Sequence, residues 1–248
     1  MTTELHQLAG EAWAFRARVE LDAALRFTRL AAAIAEFDPD SPAIPLMLRA
    51  AEDEQRHAVL CAELSATYGV VVEAIPAVPA DVAPVGLARR QAVLYEVVAA
   101  CCITETESVA TLATLLAEQA EPNVRSVLHE IARDEVIHGR MGWAHLAREA
   151  ASVDVAFLSL WIPVMLAGTV DDSLFGDAEA AAQEDGGLLR YGVLPHSRKR
   201  DVFARTLLDV VFPGLETFGV DAGPARAWLA ARLNAKGTAL AARSPGVS

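Results

Sequence analysis

Asp53-Glu54-Gln55-Arg56-His57 decides how the chain is read, because the same pattern returns at Asp134-Glu135-Val136-Ile137-His138. In each copy a Glu and a His stand three residues apart, which on an α-helix puts them on one face, about one turn from each other. A carboxylate and an imidazole held that way grip one metal ion, and two such grips facing each other make a dinuclear site. With 19 Glu and 6 His in 248 residues, chance supplies roughly half of one Glu-x-x-His. Two copies, each preceded by Asp and each set in an apolar helical pattern, outweigh the bland alternative of two amphipathic helices carrying ordinary ion pairs.

Outward from the two copies, the periodicity predicts four helices. The first covers about 8–37 and is stopped by Asp38-Pro39-Asp40-Ser41-Pro42; Glu20 lies mid-helix in phase with Trp13, Ala24 and Phe27. A charge on that apolar face calls for a partner or a metal. The second, about 42–68, ends near Gly69 and aligns Leu46, Ala50, Glu54, His57, Cys61 and Leu64. A Val-, Ala- and Pro-rich crossover over 70–86 leads to the third, about 87–120, where Leu94, Val98, Cys101, Glu105, Ser108, Leu112 and Leu116 share a face. Glu107 falls about 200° from Glu105 at helical pitch, so Glu105 is the ligand candidate and Glu107 a surface or supporting residue. The fourth helix, about 122–150, turns Val124, Leu128, Ile131, Glu135, His138 and Leu146 inward.

Beyond residue 150, helices are expected over about 153–170, 197–217 and 223–235, with an acidic loop from Asp177 to Gly187 and a frayed tail after Lys236. Nothing there marks a separate domain. The reading is therefore one domain over 1–248, a bundle at 8–150 with a C-terminal helical layer at 151–240.

Composition bounds the function. Hydrophobic residues make up 53% and the mean hydropathy is +0.29, so a large core is assured. The net charge of −12 argues against a nucleic-acid partner, which needs clustered Lys and Arg. The start of the chain lacks a signal-peptide pattern, and the most apolar stretch, Val155 to Ala167, is short for a membrane span and holds Pro163. Cys61, Cys101 and Cys102 form neither a disulfide framework nor a Cys-x-x-Cys pair. A reducing cytoplasm is the expected home.

The order Glu, Asp-Glu-x-x-His, Glu, Asp-Glu-x-x-His resembles the ferritin-like superfamily of carboxylate-bridged non-haem diiron proteins, whose ligand rule is one Glu from each of two helices and Glu-x-x-His from the other two. The resemblance covers about 8–150 and implies an all-α, ferritin-like four-helix bundle with additional C-terminal helices. It implies two iron ions, with a manganese–iron pair as the alternative. Glu54 and Glu135 would bridge, Glu20 and Glu105 would be more terminal, and His57 and His138 would each bind one ion. Asp53 and Asp134 would orient the imidazoles across the bundle.

Four carboxylates and two divalent cations leave the buried cluster neutral, which limits its desolvation cost. Such a pair delivers two electrons to O₂. The expected function is therefore an oxidase or oxygenase acting on a small organic molecule by hydroxylation, N-oxygenation or desaturation, with an external electron donor. A ferroxidase or peroxide scavenger is the alternative. The sequence leaves the oligomeric state open, a homodimer included.

Phe27, Cys61, Cys101, Val109 and Met141 are the expected pocket residues. Cys61 stands where radical-generating relatives carry Tyr, Val109 where several hydroxylases carry Thr, and no rubredoxin-like module is encoded. His145, two turns beyond His138, is expected at the surface or supporting the site. His6, His129 and His196 are expected to be exposed.

Overall fold

The computed structural model describes residues 2–73, 82–176 and 187–241. Four long helices form the bundle: α1 (Thr2–Ala35), α2 (Ala43–Thr67), α3 (Arg89–Leu116) and α4 (Pro122–Ala150). Helix α1 begins six residues earlier than periodicity suggested, because Leu5 packs on the bundle and the His6 ring sits against Tyr68 and Tyr191 at 5.5 and 5.2 Å. His6 is thus half-buried rather than exposed, as is His196, whereas His129 is exposed. Gly69, at φ +85°, ends α2 as expected, with Gly69 and Val70 N–H groups returning to Ala66 and Ser65 carbonyls. Pro122 opens α4 at a position where its missing N–H costs nothing.

The all-α reading holds; among the described residues there is no strand. The C-terminal layer comprises α5 (Leu158–Thr169), α6 (residues 196–217) and α7 (Gly223–Ala241), with 3₁₀ turns at Asp172–Phe175 and Leu188–Tyr191. Helix α7 runs past the expected end at 235. Most of the acidic loop (177–186), the middle of the crossover (74–81) and the tail (242–248) lie outside the described residues.

Two apolar clusters fill the bundle, one toward each end. Trp13 and Ala17 of α1, Cys61 and Leu64 of α2, Leu112 of α3, and Leu128 and Ile131 of α4 make the first. Phe27 and Leu30, Met47 and Ala50, Val97 and Cys101, and Met141 make the second. Every metal-ligand candidate lies between them in sequence on its own helix.

Helix α3 departs from the expected stripe. Its middle, Val98–Thr104, is π-helical, and the Thr104 hydroxyl donates to the Ala99 carbonyl at 3.0 Å. The extra residue in that turn shifts the register by about 100°. Leu94 and Val98 accordingly face the C-terminal layer, while Val93, Val97 and Cys101 face the bundle. On α2, likewise, Met47 fills the inward position and Leu46 is 44% exposed.

By length and composition alone α3 is long and apolar enough to cross a membrane. Its apolar faces are instead taken up by the bundle on one side and the C-terminal layer on the other. The apolar α5 likewise buries Leu158, Ile162, Met165 and Leu166.

Candidate metal centre

Between the two apolar clusters the four helices bring Glu20, Glu54, His57, Glu105, Glu135 and His138 to one place, all six buried. Ligand atoms of Glu20, Glu54, His57 and Glu135 lie within 4.8 Å of one another, and so do those of Glu54, Glu105, Glu135 and His138. Glu54 and Glu135 are common to both groups. Each histidine turns Nδ1 toward the carboxylates: His57 Nδ1 is 3.2 Å from Glu54 Oε2, and His138 Nδ1 is 3.2 Å from Glu135 Oε2. The two rings are 6.1 Å apart between centroids.

The outward ring nitrogens meet the aspartates crosswise. His57 Nε2 lies 3.2 Å from Asp134 Oδ2, and His138 Nε2 lies 3.6 Å from Asp53 Oδ2. Each Asp immediately precedes the Glu of the opposite copy, so the duplicated motif braces itself. Arg56 ties the pair together, donating to Asp53 at 2.9 Å and to Asp134 at 2.5 Å, with Arg49 and Arg133 adding to the network. Burial works against the Asp134 carboxylate, but Arg133, His57 and Arg56 outweigh it and hold its pKa down at about 2.

The donor set fits cations. Burial, reinforced by neighbouring carboxylates, pushes Glu20 and Glu105 well above the usual carboxylate range, with Arg16 opposing the shift at Glu20. Burial also opposes ionisation of Glu54, yet the His138 and His57 imidazoles beside it drive it down to about 2. Burial would lower the His138 pKa, but Glu135 and Glu54 raise it to about 10. His138 Nδ1 sits 2.9 Å from Glu54 Oε1, which nonetheless has no hydrogen-bond partner among the described residues. Buried carboxylates and imidazoles crowded together, with some of their atoms unpaired among the described residues, are what a pair of divalent ions satisfies. Oxygen and imidazole donors without thiolate suit iron or manganese over structural zinc.

A scan against family models matches the rubrerythrin model over residues 14–145, more than half of the chain and the whole of the ligand-bearing bundle. The chain belongs to the rubrerythrin family. One solved structure, described as protein 19 with aldehyde deformylating oxidase activity from Synechococcus, superposes with a TM-score of 0.62 at 20% identity, over 91% of this chain and 96% of that one. At that identity the likeness speaks for the fold. Comparison with curated protein sequences finds no match. Within the rubrerythrin-family bundle, the duplicated Glu/His cluster is thus a di-metal site in kind.

A cleft of about 720 Å³ opens onto the cluster between α1, α3, α5 and residues 192–194, reaching Glu20, Glu105 and Glu135. The expected pocket residues Phe27, Cys61, Cys101, Val109 and Met141 do not line it. Phe27, Cys61, Cys101 and Met141 are core residues above and below the ligands; Val109 is half-buried on α3. Residues one turn along the inward faces plug the bundle's axis, so the opening lies sideways, between helices. Burial raises the Cys61 thiol strongly and the Cys101 thiol to about 12, which leaves both protonated.

Glu107 stays out of both ligand groups; it lines the cleft and accepts from the Thr111 hydroxyl at 2.9 Å. His145 is buried, not at the surface, and neither ring nitrogen has a hydrogen-bond partner among the described residues.

Two polar residues at the cluster went unassigned in the sequence. Arg16 Nε donates to Glu20 Oε1 at 2.9 Å and its Nη2 to Ser108 Oγ at 3.3 Å, while Ser108 donates to Glu135 Oε1 at 3.2 Å. The spacing of Arg16 four residues before Glu20 was the available signal.

Proposed function

We propose that the chain is a non-haem diiron oxidase or oxygenase that uses O₂ to oxidise a small organic substrate. The observation that carries this reading is the cleft: its volume suits a ligand of small-molecule size, and it reaches three of the six ligand candidates from one side. Glu54 and Glu135 would hold both ions, Glu20 and His57 one of them, Glu105 and His138 the other. When bound, a reduced iron pair supplies two electrons to O₂ together.

The chain's own residues do the rest. Asp134 pairs with the outward nitrogen of His57 at 3.2 Å and Asp53 faces that of His138 at 3.6 Å, so each imidazole is held with Nδ1 toward the ligand cluster. Ser108 orients the Glu135 carboxylate from the cleft side. The apolar clusters exclude water along the bundle axis, and the cleft gives reactants a way in from the side. An external reductant restores the electrons. Three unpaired cysteines, all buried, support a reducing, cytoplasmic setting.

Family membership favours a second reading, in which the substrate is Fe²⁺ or a peroxide. Anaerobically iron-loaded protein mixed with O₂ separates the two. The oxygenase reading requires oxygen uptake and oxidised organic product in step with added reductant. Turnover of excess Fe²⁺ to a mineral core, or peroxide consumption with no effect of organic compounds, would sink it. For the site, Glu135→Ala is expected to carry well under two metal ions per chain by elemental analysis; an unchanged content rules out its bridging role.

A further inference from the structure

We propose that the cleft takes an amphipathic monocarboxylate, with its carboxylate on Arg16 beside the metal centre and its apolar chain running along α1, α3 and α5. The inference rests on the di-metal reading above. Its starting point is charge. Four glutamates and two divalent cations neutralise one another, so Glu20 no longer balances the guanidinium that it faces at 2.9 Å. Arg16 then keeps its Glu20 and Ser108 contacts in the cleft wall, but with the Glu20 charge taken up by the metals its own charge is a largely buried excess that an incoming anion would offset.

The rest of the wall agrees. Arg26 and Lys199 also line the cleft and form no ion pair among the described residues. The remaining acids are Asp22, which is exposed, and Glu107, already engaged by Thr111. Once the metal ligands are neutralised, cations in the lining outnumber carboxylates, in a protein whose net charge is −12. Between these charges Trp13, Val19, Tyr95, Val164, Met165 and Leu194 offer an apolar path. An apolar body with one planar anionic head matches that layout, because a guanidinium grips a carboxylate through two parallel hydrogen bonds.

The test uses manganese-loaded protein, in which Mn²⁺ brings the charge without oxygen chemistry. Octanoate, octanamide and 1-octanol are titrated by calorimetry, and metal content is measured in the same samples so that proteins are compared at equal occupancy. Octanoate is expected to bind about ten- to a hundred-fold tighter than octanamide. Arg16→Gln is expected to bring the two within about two-fold, and Arg16→Lys to keep part of the preference. Equal binding of all three ligands by wild-type protein overturns the carboxylate assignment, as does a preference that survives Arg16→Gln, which places the head group elsewhere. Wild-type protein that takes up no manganese overturns the underlying di-metal reading instead.

Discussion

Removing the metals and raising the pH from 6.5 toward 10 is expected to destabilise the fold, and the size of the effect follows from His138. Burial alone would lower its pKa, but the hydrogen bond to Glu135 and the adjacent Glu54 carboxylate raise it to about 10. In the unfolded chain the same imidazole loses its proton near 6.5. Above that pH the folded state holds a proton that the unfolded state has released, so stability falls as pH rises. The contribution is complete below 6.5 and gone once the pH passes through about 10. At about 1.4 kcal/mol per pH unit, the interval is worth roughly 5 kcal/mol. For a chain of this size that is roughly 10–20 °C of melting temperature.

Glu20 and Glu105, raised by burial, work in the same direction. Glu54 and Asp134, both held at about 2, contribute stability that is lost only as the pH falls through the acid range, and so are silent in this window. In loaded protein the ligands carry no protons, so the slope flattens or reverses and metal affinity rises with pH. Thermal melts by circular dichroism, on chelator-treated and manganese-loaded protein between pH 6.5 and 9.5, read this directly. His138→Gln removes the largest part of the slope. A melting temperature that stays level across the window in metal-free wild-type protein would refute the raised His138 pKa.

Other perturbations give separate checks. Asp134→Asn weakens the brace on His57 and is expected to cost about 10- to 100-fold in affinity for one of the two ions, read by competition with a chromophoric chelator. Gly142→Ala puts a Cβ 2.2 Å from the Cys101 Cβ and 3.0 Å from its carbonyl carbon, so urea unfolding should show a loss of about 1–3 kcal/mol or more, part of it recovered by adding Cys101→Gly. Trp13→Phe deletes the 2.8 Å hydrogen bond from Nε1 to the Tyr191 carbonyl, at an expected cost of about 1–3 kcal/mol, visible as a lower urea midpoint.

The ligand cluster was legible because its signal is local. Glu-x-x-His at helical spacing and an acid in phase with Trp13 and Phe27 need only the α-helical period to be read. The cleft was not, because it depends on which helices stand apart, and inward faces say only which residues meet. The α3 register failed for a different reason. Nothing in Val98-Ala99-Ala100-Cys101-Cys102-Ile103-Thr104 announces an i→i+5 turn, and one extra residue was enough to send Leu94 and Val98 to the C-terminal layer. His145 was left between a surface and a supporting place because part of its surroundings, Asp38 and Arg90, comes from other elements, beside Arg148 and Glu149 of its own helix.

The two halves of the bundle repeat one another in sequence, yet what surrounds the cluster is not symmetric. On the α2 and α4 side, Asp53, Asp134 and three arginines close the outward faces of both histidines. On the α1 and α3 side, the ligands supplied are single glutamates, and between them the wall opens to the cleft. Gly142 accentuates the difference: lacking a Cβ, it lets α4 lie against the Cys101 backbone of the π-helical turn, one turn from His138. In the proposed reading, substrate and O₂ approach the glutamate face, opposite the imidazoles. In that reading the duplicated motif holds the metals while Arg16, Ser108 and residues of the C-terminal layer line the open side, so a repeated metal grip can serve a reaction that needs one opening.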